Sequence, residues 1–321
     1  MNAIKIAYLL DPSTEMAGYA LRRAREFQNT WPQAVQLFMK QKHPDVDATL
    51  YTTQPELYNL LAAYQPNLTI RDAGRSTPED IRFMHQLGSR VAVIDDSGDG
   101  ALVADYQLQT LYTEEADYLP MDVRKGLDAY IPISYTPSPP QISKTKRIVI
   151  LFPEKDPDNL THRVLRHLTQ LHVPLEVDVV IHPSYQHDRF TLQSFILQRK
   201  HLQLIETADY LPYLERADLA ITSSAHMPYL CVQTATPAVL LAESKREVSY
   251  RFGDEIPAFT HLGLGRKVKQ SALQNAIMEV VLHEGLLLKK KKQLEALAET
   301  LNPAAIIQEL KALAELREFT S

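Results

Sequence analysis

A chain of 321 residues is long enough for two domains of ordinary size, each burying its own core. Its 34 Lys and Arg against 39 Asp and Glu, a formal net charge of -5, provide no extended basic surface and argue against nucleic acid as a main partner. The single cysteine excludes an intramolecular disulfide framework and a Cys-rich metal site, fits a reducing compartment, and lies as Cys231 in an apolar, helix-like run that reads as a buried structural thiol.

The apolar run that ends at Leu10 has no small-residue cleavage site after it and reads as the first strand of the fold. No apolar run approaches the ~18 residues that cross a bilayer, so the expectation is a cytoplasmic protein with no transmembrane segment. Strand-like runs then alternate with helical patterns: Ile4 to Leu10 with Gly18 to Trp31, Ala48 to Thr52 with Gln54 to Ala63, and Leu68 to Arg71 with Thr77 to Leu87. Val91 to Ile94 leads into the acidic turn Asp95-Asp96-Ser97-Gly98-Asp99-Gly100. Short apolar strands separated by longer helices indicate βαβ units and a parallel sheet. Thr77-Pro78-Glu79-Asp80 is a helix start, with Thr as cap, Pro in the first turn and acids at the positive end of the dipole.

The proline-dense, aperiodic stretch Tyr135 to Lys144 reads as an interdomain connection. After it the pattern repeats: strand Arg147 to Phe152, helix Asn159 to Leu171, strands Leu175 to Ile181 and Leu202 to Glu206, short helix Tyr210 to Arg216, strands Leu219 to Thr222 and Ala238 to Leu241. Ser271 to Phe319 is helical, interrupted at Asn302-Pro303. The expected architecture is α/β, with two Rossmann-like parallel-sheet domains facing a cleft, at 1–140 and 141–302, and a C-terminal helix at 303–321 that returns to the first domain.

The stretch most telling for function runs from Ala217 to Glu243: a buried strand, the turn Ser223-Ser224-Ala225-His226, a helix, and a second buried strand ending before Glu243. In a parallel sheet this turn lies at the carboxyl edge, where a following helix offers backbone N–H groups to an anion such as a nucleotide diphosphate. Phosphate loops usually carry glycine, and here the turn has Ser, Ser, Ala and His in a chain with only 10 glycines. His226 is placed to bond a phosphate or sugar, or is simply a loop histidine. Asp11, in an Asp-Pro-Ser-Thr turn after the first strand, is the best acidic candidate for substrate contact, with a turn role as its alternative. Asp95, Asp96 and Asp99 suit a general base or Mg²⁺, although turn chemistry also accounts for them. His162, His167 and His172 recur at steps of five, which does not give one helix face, and they read as surface histidines together with His182 and His187. Lys289 to Lys292 reads as a solvated helical face, since Glu295 and Glu299 follow it.

Two parallel α/β domains, a Pro-rich linker and a paired C-terminal helix resemble the B-type (GT-B) glycosyltransferase superfamily. More narrowly, through Asp11 with Gly18-Tyr19-Ala20-Leu21-Arg22, Val91 to Asp96, and Tyr210 to Ile221, the chain is similar to the UDP-sugar hydrolases of the pseudaminic acid pathway and their spore-coat polysaccharide glycosyltransferase relatives. The resemblance implies a first domain on the acceptor or sugar side and a second on the nucleotide side. It makes Asp11, Tyr19 and Asp95 the catalytic candidates, with Tyr19 standing where the family has histidine. It makes Gly18, Arg22, Ser223, Ser224, His226 and Glu243 the nucleotide or substrate contacts. By spacing, Leu230 replaces the family's helix glutamate, and Phe152-Pro153-Glu154-Lys155-Asp156 replaces a second glycine loop. No metal and no cofactor are implied, the UDP-sugar being a substrate and a glycan acceptor or water its counterpart. The expected activity is nucleotide-sugar-dependent glycosyl transfer or nucleotide-sugar hydrolysis in bacterial surface-glycan biosynthesis. The alternative is a non-catalytic GT-B-fold binding or scaffold protein in a glycan-assembly complex.

Overall fold

The computed structural model describes residues 4–11, 17–42, 46–113, 122–135 and 145–315. The Pro-Ser-Thr part of the first turn, most of the proline-dense connection and the end of the helical tail lie outside the described residues. The chain divides into two compact units, Met1–Ser134 with Asn302–Ser321, and Tyr135–Leu301.

In the first unit, seven strands form an all-parallel sheet: β1 (Ile6–Leu10), β2 (Val35–Met39), β3 (Thr49–Leu50), β4 (Leu68–Asp72), β5 (Arg90–Ile94), β6 (Tyr106–Gln109) and β7 (Val123–Lys125). Their order is β3-β2-β1-β4-β5-β6-β7, so the order reverses between β1 and β4. Every residue of β1 is buried, because helices cover both faces. Ile6, Tyr8 and Leu10 pack with Ala20, Leu21, Ala24 and Phe27 of α1 (Ala17–Thr30) and with Ile306, Ile307 and Leu310 of α11 (Pro303–Glu315). Ala7 and Leu9 point the other way, toward Leu57 and Leu61 of α2 (Gln54–Tyr64) and Ile81 and Met84 of α3 (Pro78–Gln86).

The start of α3 follows its sequence signal: the Thr77 hydroxyl accepts from the Asp80 amide at 3.2 Å, and the Asp80 carboxylate accepts from the Thr77 amide at 2.9 Å. Asp96 spans two loops, accepting from the amides of Ser76 (2.9 Å) and Gly98 (2.8 Å). These loops lie so close that a Cβ on Gly98 would sit 2.1 Å from the Ser76 carbonyl oxygen, which excludes any side chain there.

The second unit holds β8 (Lys146–Leu151), β9 (Leu175–Ile181), β10 (Leu202–Glu206), β11 (Leu219–Thr222), β12 (Ala238–Ala242) and β13 (Phe259–Leu264), all parallel, in the order β10-β9-β8-β11-β12-β13. Counted from its own first strand, this is the 3-2-1-4-5-6 order of a Rossmann sheet, with the reversal between β8 and β11. One face packs on α4 (Leu160–Leu168), α5 (Arg189–Leu197) and α9 (Gln270–Leu282) through Leu160, Val164, Leu192, Ile196, Leu273 and Ile277. The remaining helices are α6 (Leu211–Glu215), α7 (Met227–Gln233), α8 (Phe252–Glu255) and α10 (Glu284–Ala298). Tyr229 of α7 stacks on Phe252 of α8, their ring centroids 3.9 Å apart.

Several elements depart from the sequence reading. β2, β6, β7, β13 and α5 were not anticipated. β6 and β7 are short and polar, and β13 carries Gly263 in the left-handed region and pairs irregularly with β12 at the sheet edge. The helical tail also breaks at His283, whose backbone is non-helical between α9 and α10, with no proline to announce it. The lysine run is not wholly solvated: Lys290 is buried and donates to the carbonyls of Pro257 (3.2 Å) and Ala258 (3.1 Å), and Lys291 pairs with Asp218 at 3.1 Å. Burial correspondingly lowers the Lys290 pKa.

Candidate functional site

In each unit the sequence candidates gather at the carboxyl ends of the strands beside the point of reversal, the position at which open parallel sheets take ligands. In the second unit, Ser223 and Ser224 follow β11 directly and are 0% and 2% exposed, and His226 is buried in the turn before α7. Ser223 Oγ is buried with no hydrogen-bond partner among the described residues. Glu247 joins Ser224 to Glu243, since its carboxylate accepts from the Glu243 amide (3.0 Å) and lies 3.5 Å from Ser224 Oγ. Glu247 was missed in sequence because it sits in a loop turn rather than at a strand end.

The other side of this reversal is the turn after β8, where Glu154, Asp156 and Asn159 all have positive φ (54°, 51° for Asn159, and 47° for Asp156) without being glycine. Asp156 is fully buried and accepts from the first amides of α4, those of Leu160 (2.7 Å) and Thr161 (2.9 Å). Burial raises its pKa, and these two bonds to the ionised form oppose the rise. Its backbone carbonyl in turn lies 2.6 Å from His187 Nε2, and Tyr185 Oη donates to Asn159 Oδ1 at 2.7 Å. The N-terminus of α4, which a glycine loop would leave open to an anion, is thus occupied by a carboxylate of the same chain. At α7, Pro228 removes one of the first-turn N–H groups.

In the first unit, Tyr19 and Asp95 come together around Arg23, which the sequence reading passed over. Arg23 is 2% exposed and grips Asp72 with two bonds, Nε to Oδ2 at 3.0 Å and Nη2 to Oδ1 at 2.8 Å. Its Nη1 donates to Asp95 Oδ2 at 3.1 Å, and its guanidinium carbon lies 4.8 Å from the centre of the Tyr19 ring. Burial works against the charge of Arg23, but Asp72 and Asp95 outweigh it and push the pKa up. Tyr8 Oη donates to Asp72 at 2.8 Å.

Asp95, itself at φ 49°, also accepts from the Thr110 amide (2.6 Å), the Thr110 hydroxyl (2.7 Å) and the Leu111 amide (3.0 Å). Tyr19 is buried and stacks on Tyr130 with the ring planes 16° apart. Burial drives its hydroxyl far above the ordinary tyrosine range, so it stays protonated at neutral pH. Gly18 and Arg22 flank Tyr19 on α1 and are partly exposed. Asp11 lies apart from this network, beyond the end of β1, in an ion pair with Lys40 at 3.7 Å.

Among the described residues, no three His, Cys, Asp or Glu side chains are grouped to hold a metal ion, and no helix is long and apolar enough to cross a membrane. Cys231 is fully buried in α7, with its thiol pushed up by desolvation.

By sequence, no known protein family and no curated protein matches the chain. By structure, it is similar to MurG of Acinetobacter baumannii, at 12% identity and TM-score 0.67 over 97% of this chain and 100% of that one. The spinosyn forosaminyltransferase SpnP matches at 10% identity and TM-score 0.69 over 98% and 100% of the two chains. UDP-GlcNAc 2-epimerase from Neisseria meningitidis, solved bound to UDP-GlcNAc, matches at 10% and TM-score 0.62 over 96% and 100%. The fold is therefore that of the GT-B class, two Rossmann-like parallel-sheet domains; the alternating pattern of the sequence predicted the two parallel sheets, and the family resemblance the GT-B class.

Proposed function

We propose that the chain binds a nucleotide sugar, UDP-linked, in its second domain, and either transfers the sugar to a glycan acceptor or hydrolyses its link to the nucleotide in bacterial surface-glycan biosynthesis. The observation that supports this is the convergence of Ser223, Ser224, His226 and Glu243 beside the β8/β11 reversal of a Rossmann-ordered sheet. Ser223 supplies an uncommitted buried hydroxyl there, suited to a phosphate or ribose oxygen. In the first domain Asp11 is the carboxylate best placed to meet a sugar hydroxyl. Tyr19 and Asp95, bound into the Arg23 network, would act by positioning.

The second reading, a non-catalytic GT-B-fold binding or scaffold protein, is favoured by Asp156, whose carboxylate takes the α4 amides that a diphosphate would use. Calorimetric titration with UDP, and with GDP, CMP and TDP as controls, separates the two. The enzyme reading expects UDP-selective binding that weakens in Ser223→Val and Glu243→Gln. A nucleotide at about a hundred times its dissociation constant would also add ~2.7 kcal/mol of stability. Absence of binding by every nucleotide would overturn the donor site and leave the scaffold reading.

A further inference from the structure

The six-stranded sheet ends in β10, which pairs with β9 on one side and with no strand on the other among the described residues. In a parallel ladder alternate residues turn their backbone groups to the same neighbour. The Val177 amide donates to the His201 carbonyl (2.9 Å) and the Thr207 amide to the Ile181 carbonyl (3.0 Å), so the odd-numbered residues of this segment face β9. The amides and carbonyls of Leu204 and Glu206, and the Leu202 carbonyl, therefore point out of the sheet.

Edge strands are ordinarily protected by shortness, proline, lysine or a bulge. β10 runs for five residues in unbroken register, with no proline and no lysine. By contrast, β13 at the opposite edge pairs irregularly, and the outer strands of the seven-stranded sheet have two and three residues.

The helix beside this edge extends it. α5 turns Leu192 and Ile196 to the sheet, and Phe195 meets His162 of α4 edge to face, with ring centroids 5.9 Å apart. At about 100° of rotation per residue, Phe190 and Leu197 then lie on the flank away from α4, over the open side of β10. They are 74% and 82% exposed, and their spacing of seven puts them on one helix face with Gln193 between them.

These features are self-complementary, which selects a second copy of this chain over an unrelated partner. A two-fold axis through Leu204, normal to the sheet, pairs β10 antiparallel with its copy. Leu204 then exchanges both backbone bonds with its counterpart, and each Glu206 amide reaches a Leu202 carbonyl across the axis. Arg199 and Lys200 at the start of one strand come to face Glu206 and Asp209 at the end of the other, so unlike charges meet. Strands lie about 4.8 Å apart and a crossover helix covers the two strands it joins, so the two α5 axes come within about 10 Å, the distance of packed helices.

The register along the helix agrees. Arg189 pairs with Glu206 at 3.2 Å, which ties the start of α5 to the end of β10. From Glu206 back to Leu204 is about 7 Å of strand, the rise of about four to five helical residues, which brings the axis beside Gln193 and Ser194. That is the midpoint of Phe190 and Leu197, so each Phe190 meets Leu197 across the axis.

We propose that the chain associates as a two-fold dimer through β10 and α5 of its second unit, joining two six-stranded sheets into one. The nucleotide reading at the β8/β11 reversal does not involve this edge.

The test is sedimentation velocity on the full chain across concentration. The expected result is a monomer that passes to a dimer with a dissociation constant in the micromolar range, as suits a small interface. Phe190→Glu and Leu197→Glu, at exposed positions, should each weaken the dimer by about tenfold or more while leaving the circular dichroism spectrum unchanged. Gln193→Cys, beside the axis, should form a disulfide-linked dimer under mild oxidation, since the native Cys231 is buried. Ser271→Cys, exposed on α9, should not. A monomer at every concentration, a dimer that neither glutamate variant weakens, or equal cross-linking at both cysteine positions overturns the proposal. UDP titration of the Phe190→Glu protein reads the β8/β11 site separately, so either assignment can fail without the other.

Discussion

Arg23 carries the largest local consequence of any single side chain in the first unit. Its guanidinium is the shared partner of two buried carboxylates, Asp72 and Asp95, and removing it would strand both in a low-dielectric interior. Arg23→Ala is expected to cost about 3–5 kcal/mol in urea unfolding, because breaking a buried ion pair by removing one partner leaves uncompensated charge. A loss below about 1 kcal/mol, the size of a surface pair, would show that water reaches the network and that the carboxylates are not held by Arg23. Asp11 and Asp95 stood out in sequence because an acid directly after a buried strand is conspicuous. Arg23, Tyr51 and Asp156 did not. Arg23 lies in a helix already rich in arginine, and Tyr51 at the end of a two-residue strand. Asp156 precedes its helix by more than the usual capping distance and reaches the α4 amides only through left-handed backbone at Asp156 and Asn159.

At the scale of elements, the pieces with strong local signals are where the sequence placed them: α2 and α3 with Thr caps and early prolines, and β1, β4, β5, β8, β9 and β11 as short runs built around buried apolar residues. The short polar strands it missed take their stability from position in the sheet rather than from composition, as in β6, where Gln107 is buried and bonded to the Ala101 carbonyl. The final helix α11 shows the same dependence. Its Ile306, Ile307 and Leu310 complete the α1 face of the first sheet, and Glu309 pairs with Arg124 at 3.1 Å and bonds Tyr106. Leu310 is 0% exposed, so Leu310→Ala is expected to cost about 2–5 kcal/mol through lost burial and the cavity left behind. Hydrogen exchange should show that loss as faster opening of the β1, β4 and β5 amides, with protection in β8 and β11 unchanged. Equal acceleration in both sheets would mean that the two units unfold as one and that α11 is not a feature of the first unit alone.

For the molecule as a whole, buried phenols set the alkaline limit. Tyr8, Tyr19 and Tyr130 are buried, and desolvation is the largest factor pushing each hydroxyl up. The unfolded chain releases those protons near pH ~10 while the folded chain retains them. Stability is therefore full below that point and falls as pH rises through the folded values, by up to about 1.4 kcal/mol per pH unit for each such tyrosine. Urea midpoints should drop clearly between about pH 8 and about pH 11, and less so in Tyr19→Phe. A midpoint that holds steady over that interval would show that these hydroxyls ionise as readily in the folded chain as in the unfolded one.

The sequence by itself determined the class of fold, because fully buried parallel strands need continuous apolar runs and the crossover helices between them need a 3.6-residue period, and both patterns are local. It also located the turns in which strand-end chemistry would lie. Tertiary structure alone decided which of those turns meet. The reversal between β1 and β4 brings Asp11 into one wall with Lys40, Tyr51 and Arg71, and the reversal between β8 and β11 sets the Asp156 turn beside Ser223. Such juxtapositions join residues tens of positions apart through strand order, and strand order follows from packing both faces of each sheet rather than from the identity of any one residue.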